Sequence, residues 1–441
     1  MSRYLVFVTV SISLILSAIS ATSVSVAFPV ITASFNVSLI VTGWIISIYQ
    51  LGLTATMPIV GKISDVMGRK STFMLCLALF MLGSLLCAIA PNVESLIVFR
   101  LIQSLGGGGF MPSAVGIVAE QFPQSRQKAI GLFSSIFPIG QIIGPNLGGW
   151  LVSSFGWRSI FWINVPICLM ALIASALLLH SNKRVEGKID FLGAGLVGGA
   201  LSSFMFGLCL MGYENMRLMA VVPCLAAFVL TFLLIRHEKR TEDPILDIEI
   251  LSTKSFMAAN TYNFVYGSAV IGVMSLIPIL AVSVYGMNAL ECGLLLTPRS
   301  VGMIAASTVT SIFIERFGYR RPMIIGTTLT VAGLLLLSYE PGSITALYVI
   351  MGLLGLAVGT LSPATNNACI ELMPERAATI TGVRGMFRQI GGSLSITVAT
   401  LVLHTVGDIA LGFQIIFIGI AVAFIAAIPL IFLMPRSPGC K

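Results

Sequence analysis

The chain has 441 residues, of which 57% are hydrophobic and 10% are charged, and its formal net charge is +8. Soluble domains carry about 45–50% apolar and about 25% charged residues, so the lipid bilayer is the expected solvent of this chain. Fourteen membrane helices of about 22 residues leave no room for a soluble enzyme domain, a nucleotide-binding cassette or a nucleic-acid-binding module. No Walker-type phosphate-binding motif occurs, which argues against ATP as the energy source.

Fourteen apolar runs, separated by charged or turn-rich segments, are predicted to span the membrane. The first seven lie near 4–30, 41–61, 71–90, 96–119, 129–152, 157–180 and 190–213. The other seven lie near 217–236, 256–284, 291–313, 322–338, 344–369, 379–403 and 409–434. The first run is too long for the apolar core of a signal peptide, so we interpret it as the first span.

Lysine and arginine are distributed unevenly between the connectors. The connectors after even-numbered spans and the C-terminal tail carry Lys62, Arg69, Lys70, Arg126, Lys128, Lys183, Arg184, Lys188, Arg236, Lys239, Arg240, Lys254, Arg316, Arg320, Arg321, Arg376, Arg436 and Lys441. The opposite connectors carry only Arg158 and Arg217. Because cytoplasmic loops are enriched in bases, both termini are predicted to be cytoplasmic. Topology thus explains the positive charge, and no nucleic-acid partner is expected.

Glycine and proline residues recur at a shift of 251 residues. This shift superposes Gly108 on Gly359, Pro112 on Pro363, Pro123 on Pro374, Gly131 on Gly382 and Gly140 on Gly391. The repeat predicts an all-α membrane protein of two six-helix bundles in the same orientation, with two inserted helices between them. The predicted domains are residues 1–182, 183–254 and 255–441. Two bundles that face each other across a midplane site are the architecture of alternating-access transporters, and this unit needs no second copy to function.

A short loop between spans 2 and 3 combines glycines, an acid and two bases. It contains Gly61, Asp65, Gly68, Arg69 and Lys70. Two glycines favour a tight turn. The Asp65 carboxylate is expected to cap a helix N-terminus or to pair with a base of the other bundle.

Span 4 carries an arginine within its apolar run. Arg100 and Gln103 are three residues apart and share a helix face. A charge inside a span is costly, so Arg100 is expected to face a polar interior and to have a partner.

Small residues line one face of span 5. They are Gly131, Gly140, Gly144, Gly148 and Gly149, and Pro145 lies among them. Glycines allow close helix approach and proline allows a bend. We predict a close-packed interface that suits bundles rocking against each other.

These three segments resemble motifs A, B and C of the major facilitator superfamily, and the third resembles the antiporter motif of its drug exporters. Residues 157–166 and 388–392 are similar to segments of the fourteen-helix drug:proton antiporter family. The resemblance covers essentially the whole chain. It implies export of amphiphilic, often cationic, drugs in exchange for protons across a bacterial cytoplasmic membrane, with no bound cofactor. Span 1 departs from the pattern, because Ser20 stands where the family commonly has a carboxylate.

No aspartate or glutamate falls at the middle of a predicted span. Asp190 lies at the start of span 7 and Glu371 at the end of span 12, whereas Arg384 and Arg388 lie within span 13. One hypothesis is that Glu371 pairs with Arg384 or Arg388 and gates the cytoplasmic mouth. Another is that unpaired arginines, without a central carboxylate, favour an anionic or zwitterionic substrate.

Polar side chains within the spans are candidates to line a largely apolar substrate cavity. They are Ser20, Tyr49, Gln50, Gln141, Asn260, Asn263, Tyr266, Asn366 and Asn367. The 20 methionines suit adaptable recognition of a small amphiphile. The cysteines have no metal-ligand spacing, so no metal is expected.

The leading interpretation is a secondary multidrug exporter that exchanges its substrate for protons by alternating access. One alternative is an exporter of a single endogenous metabolite, whether anionic or not, without proton coupling through span 1. Another is a receptor or scaffold that uses the same fold without transport. No nucleophile–base pair or metal-ligand set indicates an enzyme.

Overall fold

The computed structural model describes residues 3–37, 39–179, 190–211, 216–241, 251–287, 289–339, 342–406 and 408–437. Within these ranges the chain is helical, has no strand, and contains fourteen helices long and apolar enough to cross a membrane. The predicted fold class is therefore confirmed. The predicted cytoplasmic bases Lys183, Arg184, Lys188 and Lys441 lie outside the described residues, as does the predicted domain boundary at 182/183.

Two bundles of six spans flank an inserted pair. The N-bundle consists of α1 (Arg3–Phe35), α2 (Leu39–Met67), α3 (Arg69–Ala88), α4 (Val93–Gln121), α5 (Arg126–Ser134 and Phe137–Phe155) and α6 (Ser159–Trp162 and Asn164–Leu178). The inserted pair is α7 (Phe191–Met211) and α8 (Val221–Glu238). The C-bundle begins with α9, which runs through Lys254–Gly267, a π-helical segment Ser268–Val273, and Met274–Ser283. It continues with α10 (Ala289–Phe317), α11 (Arg320–Ser338), α12 (Ile344–Leu372), α13 (Ala377–Val406) and α14 (Ile409–Leu433).

The internal repeat is visible in the turns. Gly68 precedes α3 with a φ of 107°, and Gly318 stands two residues before α11 with a φ of 70°. A shift of 250 residues relates these two glycines. A positive φ favours glycine because it has no Cβ, so the same tight turn is encoded twice.

The inserted pair packs on the outside of the bundles. The helix α7 contacts α2 and α13, while α8 contacts α7. The rings of Trp44 in α2 and Phe206 in α7 are 5.2 Å apart, and the Thr397 hydroxyl of α13 donates to the Leu208 carbonyl of α7. Exposed apolar side chains such as Phe228 of α8 are as expected for a surface solvated by lipid.

The glycine face of α5 lies against α1 of the same bundle, which corrects the predicted interface between bundles. A Cβ at Gly140 would meet Ala18 and Ile15, and one at Gly144 would meet Thr22. Small residues predict close approach, but they do not identify the helix that approaches.

Gly131, in the first helical segment of α5, keeps the predicted contact between the bundles. Gly131 is the member that faces the C-bundle, where a Cβ would meet Ser311 and Pro363. The interruption of α5 falls between Ser134 and Phe137, and Pro145 lies within the second helical segment.

We predict that Gly148→Ala destabilises the N-bundle and that Gly149→Ala does not. A methyl group at Gly148 would lie 2.7 Å from the Ser23 Cβ of α1, whereas one at Gly149 would have its nearest neighbour at 3.8 Å. Overpacking of this kind costs about 1–3 kcal/mol. The melting temperature of the detergent-purified protein should fall for Gly148→Ala only. Equal melting temperatures for the two variants would contradict the packing of α5 on α1.

Candidate functional site

The carboxylate of Asp65, near the end of α2, joins the two bundles at their cytoplasmic ends. Its Oδ2 accepts hydrogen bonds from the backbone N–H and the hydroxyl of Thr379, both at 2.9 Å. Its Oδ1 lies 3.2 Å from Arg69 of the same loop. Thr379 lies in the first turn of α13, where the helix dipole favours a negative charge. Asp65 therefore caps a helix of the opposite bundle.

Arg69 connects this cap to the rest of the interface. One guanidinium nitrogen donates to the Gly116 carbonyl at 2.6 Å and lies 3.0 Å from Glu120 of α4. The other donates to the Glu375 carbonyl of the C-bundle at 3.4 Å. The loop motif is therefore part of the contact between the bundles.

The other loop residues have separate roles. Lys70 donates to the carbonyls of Ala176 and Leu179 at the C-terminal end of α6, within the N-bundle. Cations are favoured at that end of a helix. A Cβ at Gly61 would lie 2.7 Å from the Ala378 carbonyl oxygen, so a glycine there allows α2 to approach the start of α13.

Glu371 forms a second connection, with partners that differ from those predicted. Its carboxylate lies 3.8 Å from Arg126 of the N-bundle and accepts hydrogen bonds from Gln127 at 3.5 Å and from Tyr319 at 3.0 Å. Among the described residues it is not paired with Arg384 or Arg388, which corrects that hypothesis. The position of Glu371 along its helix predicted its depth, but it could not reveal that the start of α5 in the other bundle reaches this carboxylate.

Tyr319 was not anticipated from the sequence. It lies in the turn between α10 and α11, outside the membrane-spanning segments. Burial, and then the negative charge of Glu371, raise the pKa of its phenol. The hydroxyl therefore stays protonated and donates to the carboxylate.

Amides of α12 extend the same interface toward the membrane interior. Asn366 donates to the Ser134 hydroxyl at 3.3 Å, and Asn367 donates to the Gln127 carbonyl at 3.1 Å. Deeper still, a Cβ at Gly382 of α13 would meet the Met57 carbonyl of α2. These contacts pair α2 with α13 and α5 with α10 and α12, and they close the cytoplasmic side of the molecule.

The interior of the N-bundle contains the predicted arginine. Arg100 is 1% exposed and donates to the Gln103 side chain at 2.6 Å and to the Ser20 hydroxyl at 3.2 Å. Its guanidinium lies 4.0 Å from the centre of the Tyr49 ring. The Gln103 amide in turn donates to Ser84 at 2.7 Å. Arg100 is thus held by neutral acceptors and an aromatic face.

The interior of the C-bundle contains the remaining amides. Asn263 of α9 donates to the Cys369 sulfur at 3.2 Å, and Asn260 donates to the carbonyl of Phe256 in its own helix. Both amide oxygens are buried without a hydrogen-bond donor in the described part of the chain. Tyr266 donates to the Val358 carbonyl of α12 at 3.2 Å.

Three predicted residues lie elsewhere. The Gln141 amide of α5 contacts the Met274 sulfur of α9 at 3.8 Å, across the bundles. Gln50 is half-buried in α2. Asp190 is outside both bundles, because its carboxylate lies 2.7 Å from His237 and joins α7 to α8.

Comparison with known proteins identifies relatives across the chain. The family model described as Major Facilitator Superfamily matches residues 10–298 and 261–440. Multidrug resistance protein 3 of Bacillus subtilis is 31% identical over 398 residues, which cover 88% of this chain and 77% of that protein. The Tetracenomycin C resistance and export protein of Streptomyces glaucescens is 31% identical over 418 residues, covering 91% and 76%.

Two solved structures have the same fold. The human organic anion transporter MFSD10 (TETRAN) superposes with a TM-score of 0.72 at 16% identity, covering 98% of this chain and 100% of that chain. The proton:xylose symporter XylE has a TM-score of 0.71 at 14% identity, covering 98% and 95%. With the bacterial relatives and the fourteen apolar helices, these matches indicate a multi-pass transporter of the bacterial cytoplasmic membrane rather than an enzyme.

We predict that Asp65→Asn weakens the cytoplasmic closure. The substitution removes the charge from the hydrogen bonds with Thr379 and Arg69, and hydrogen bonds to charged groups contribute about 1.5–3 kcal/mol. In a cysteine-free background, spin labels at the exposed positions Gln124 and Glu375 report the separation of the cytoplasmic ends. The population with separated ends should rise by about tenfold.

Thr379→Val should act in the same direction, because it removes one of the two donors to Asp65. Thr381→Val is the matched control, since the Thr381 hydroxyl bonds to the Ala377 carbonyl of its own helix. A distance distribution that is unchanged in Asp65→Asn would show that this contact does not hold the bundles together.

Proposed function

Because the chain belongs to the major facilitator superfamily, we propose that it exports amphiphilic compounds from the cytoplasm by alternating access, in exchange for protons. The observation that carries the proposal is the cytoplasmic closure by Asp65 and Glu371. Each carboxylate is held by side chains of both bundles. Such contacts can break and re-form while each bundle keeps its own core, as a rocking mechanism requires.

The chemistry of the interior supports amphiphiles as substrates. Buried hydrophobic side chains form an extended cluster there, and single polar groups such as Asn263 and Gln141 lie among the apolar residues. Met274 and Met303, which are flexible and polarisable, can adapt to different shapes. Relatives named for multidrug resistance and for export of Tetracenomycin C agree with this substrate class.

Glu371 is the group that we propose to couple proton entry to the conformational change. Protonation of its carboxylate would remove the charge that faces Arg126 and thereby weaken the cytoplasmic closure. Once the cytoplasmic side opens, the proton leaves to the cytoplasm and the carboxylate can pair again. This assignment differs from proton coupling through α1. Ser20 in that helix has no carboxyl group to protonate, and its hydroxyl accepts a hydrogen bond from Arg100.

The test uses liposomes with an acidic lumen, in which molecules with the cytoplasmic face outward should accumulate an amphiphilic dye in the lumen. Accumulation that stops when the pH gradient is collapsed supports proton exchange. Accumulation that ignores the gradient contradicts it. The absence of any movement, for cationic and anionic dyes alike, would favour a receptor that does not transport.

We predict that Glu371→Gln uncouples transport from the proton gradient. The amide cannot take up the proton, so the gradient should no longer stimulate accumulation, while exchange of dye between equal concentrations persists. Glu375→Gln is the matched control, because this exposed side chain lies one turn beyond Glu371. Gradient-driven accumulation that is unchanged in Glu371→Gln would exclude Glu371 as the coupling group.

A further inference from the structure

Three arginines of the C-bundle lie close to one tyrosine without an acid beside them. Gly267, which follows Tyr266 in α9, packs against the Arg388 backbone of α13, and Arg299 of α10 donates to the Ala269 and Val270 carbonyls of α9. Arg384 lies one turn before Arg388 in α13. Arg299 is 1% exposed and Arg384 is 2% exposed, while Arg388 is half-buried. We call Tyr266, Arg299, Arg384 and Arg388 the basic cluster. None of its arginines forms an ion pair with a carboxylate in the described ranges.

The hydrogen bonds of the basic cluster leave donors unused. Arg384 donates to the Thr365 hydroxyl at 3.0 Å, but its Nε has no acceptor in the described part of the chain. The Nε of Arg388 likewise has no acceptor there. Each guanidinium carries five N–H donors, so most of those on Arg384 and Arg388 are unmatched. A buried, unpaired charge is unfavourable, which indicates that an anion belongs at this site.

The backbone of α9 is irregular beside the basic cluster, and this irregularity positions one of the arginines. The π-helical segment Ser268–Val273 begins two residues after Tyr266 and interrupts α9. Arg299 donates to the Ala269 and Val270 carbonyls of this segment at 3.4 and 3.2 Å. Such π-helical turns within helices are frequent at functional sites. The segment therefore holds Arg299 in place while the two arginines of α13 keep free donors.

The position of the basic cluster suits a substrate rather than the cytoplasmic closure. Arg384 and Arg388 are one turn apart on the same face of α13. Arg388 is nine residues beyond Thr379, so it lies about 14 Å farther from the cytoplasm along the helix. Its partial exposure provides the accessible end of the cluster.

The N-bundle provides an internal comparison. Arg100 is as buried as Arg384, yet Gln103, Ser20 and the Tyr49 ring surround it with acceptors. The protein can thus satisfy an intramembrane arginine with neutral groups. It does so for Arg100, whereas the described residues offer Arg384 only the Thr365 hydroxyl and leave the Nε of Arg388 without an acceptor.

We propose that the basic cluster binds the carboxylate of the exported compound, so that amphiphilic anions are the preferred substrate class. This inference rests on the proposed export function. Arg384 and Arg388 supply N–H donors to the carboxylate oxygens, with Tyr266 beside them and the apolar interior around the rest of the molecule. Guanidinium groups suit this role because their planar N–H pairs match the geometry of a carboxylate.

The test measures binding, not transport, in nanodiscs of phosphatidylcholine. Three fluorescent probes share a dansyl-undecanoyl tail and end in a carboxylate, a primary amide or a trimethylammonium group. The carboxylate should bind about tenfold or more tightly than the amide, and the cation should bind weakest. Arg384→Gln and Arg388→Gln should each reduce the preference for carboxylate over amide to less than about threefold. Arg316→Gln, at an exposed position near the cytoplasmic end of α10, is the control and should keep the preference.

Thermal stability separates a binding role from a structural one. Removing a half-buried charge that has no carboxylate partner among the described residues should raise the melting temperature of the ligand-free Arg388→Gln protein and abolish the further rise caused by the carboxylate probe. A lower melting temperature in the ligand-free variant would assign Arg388 to packing and overturn the proposal. Equal affinity for the three probes, or tightest binding of the cation, would also overturn it.

Two further experiments distinguish a substrate from a lipid headgroup as the bound anion and test export separately from binding. Loss of carboxylate binding when phosphatidylglycerol replaces phosphatidylcholine would assign the cluster to a lipid headgroup and overturn the substrate assignment. Selective, arginine-dependent binding of the carboxylate without gradient-driven movement in liposomes would refute export while the binding site stands. Gradient-driven movement of the cation alone would support export but would overturn the assignment of anions as the preferred substrate class.

Discussion

A charge placed inside a bilayer must find a partner, and this constraint organises the molecule. At the cytoplasmic ends the requirement is met across the bundles, where Asp65 caps α13 and Glu371 faces Arg126. In the N-bundle it is met locally, because neutral groups and an aromatic ring surround Arg100. In the C-bundle the described residues meet it only in part, because Arg384 donates to Thr365 but neither Arg384 nor Arg388 has a carboxylate partner among them. The distribution of satisfied and unsatisfied charge thus distinguishes the cytoplasmic closure from the proposed binding site.

The closure is built from elements related by the internal repeat, but its chemistry is not symmetric. The pairs α2–α13 and α5–α10 are counterparts, and glycines at the related positions Gly131 and Gly382 allow the close approach in each. The charged partners differ, since Asp65 is buried whereas its counterpart Glu315 is exposed. Hydrogen bonds to charged groups contribute about 1.5–3 kcal/mol each, so a few of them hold the bundles together without making the closure irreversible. A closure that can both form and break suits a transporter.

Much of the architecture follows from sequence patterns that the lipid bilayer, as the solvent, requires. Fourteen apolar runs were correctly predicted as spans because lipid demands about 20 apolar residues per crossing. Several of the spans were predicted too short at their cytoplasmic ends; α2, for example, continues to Met67 past Lys62 and Asp65. Helices can extend into the polar interface, where a hydropathy pattern no longer detects them. Arg100 and Gln103 do share a face and a hydrogen bond, because spacing along one helix determines that proximity.

By itself, the sequence determined the class of protein, the number of spans, the internal repeat and which residues share a helix face, because all of these are local or periodic properties. Only the tertiary structure decided which helix each face meets. Of the α5 glycines, Gly140, Gly144 and Gly148 lie against α1 whereas Gly131 faces the C-bundle. Glu371 could have met α13 but meets Arg126 and Tyr319. Those choices depend on how separate helices pack in space, and a pattern along one helix carries no information about the atoms of another.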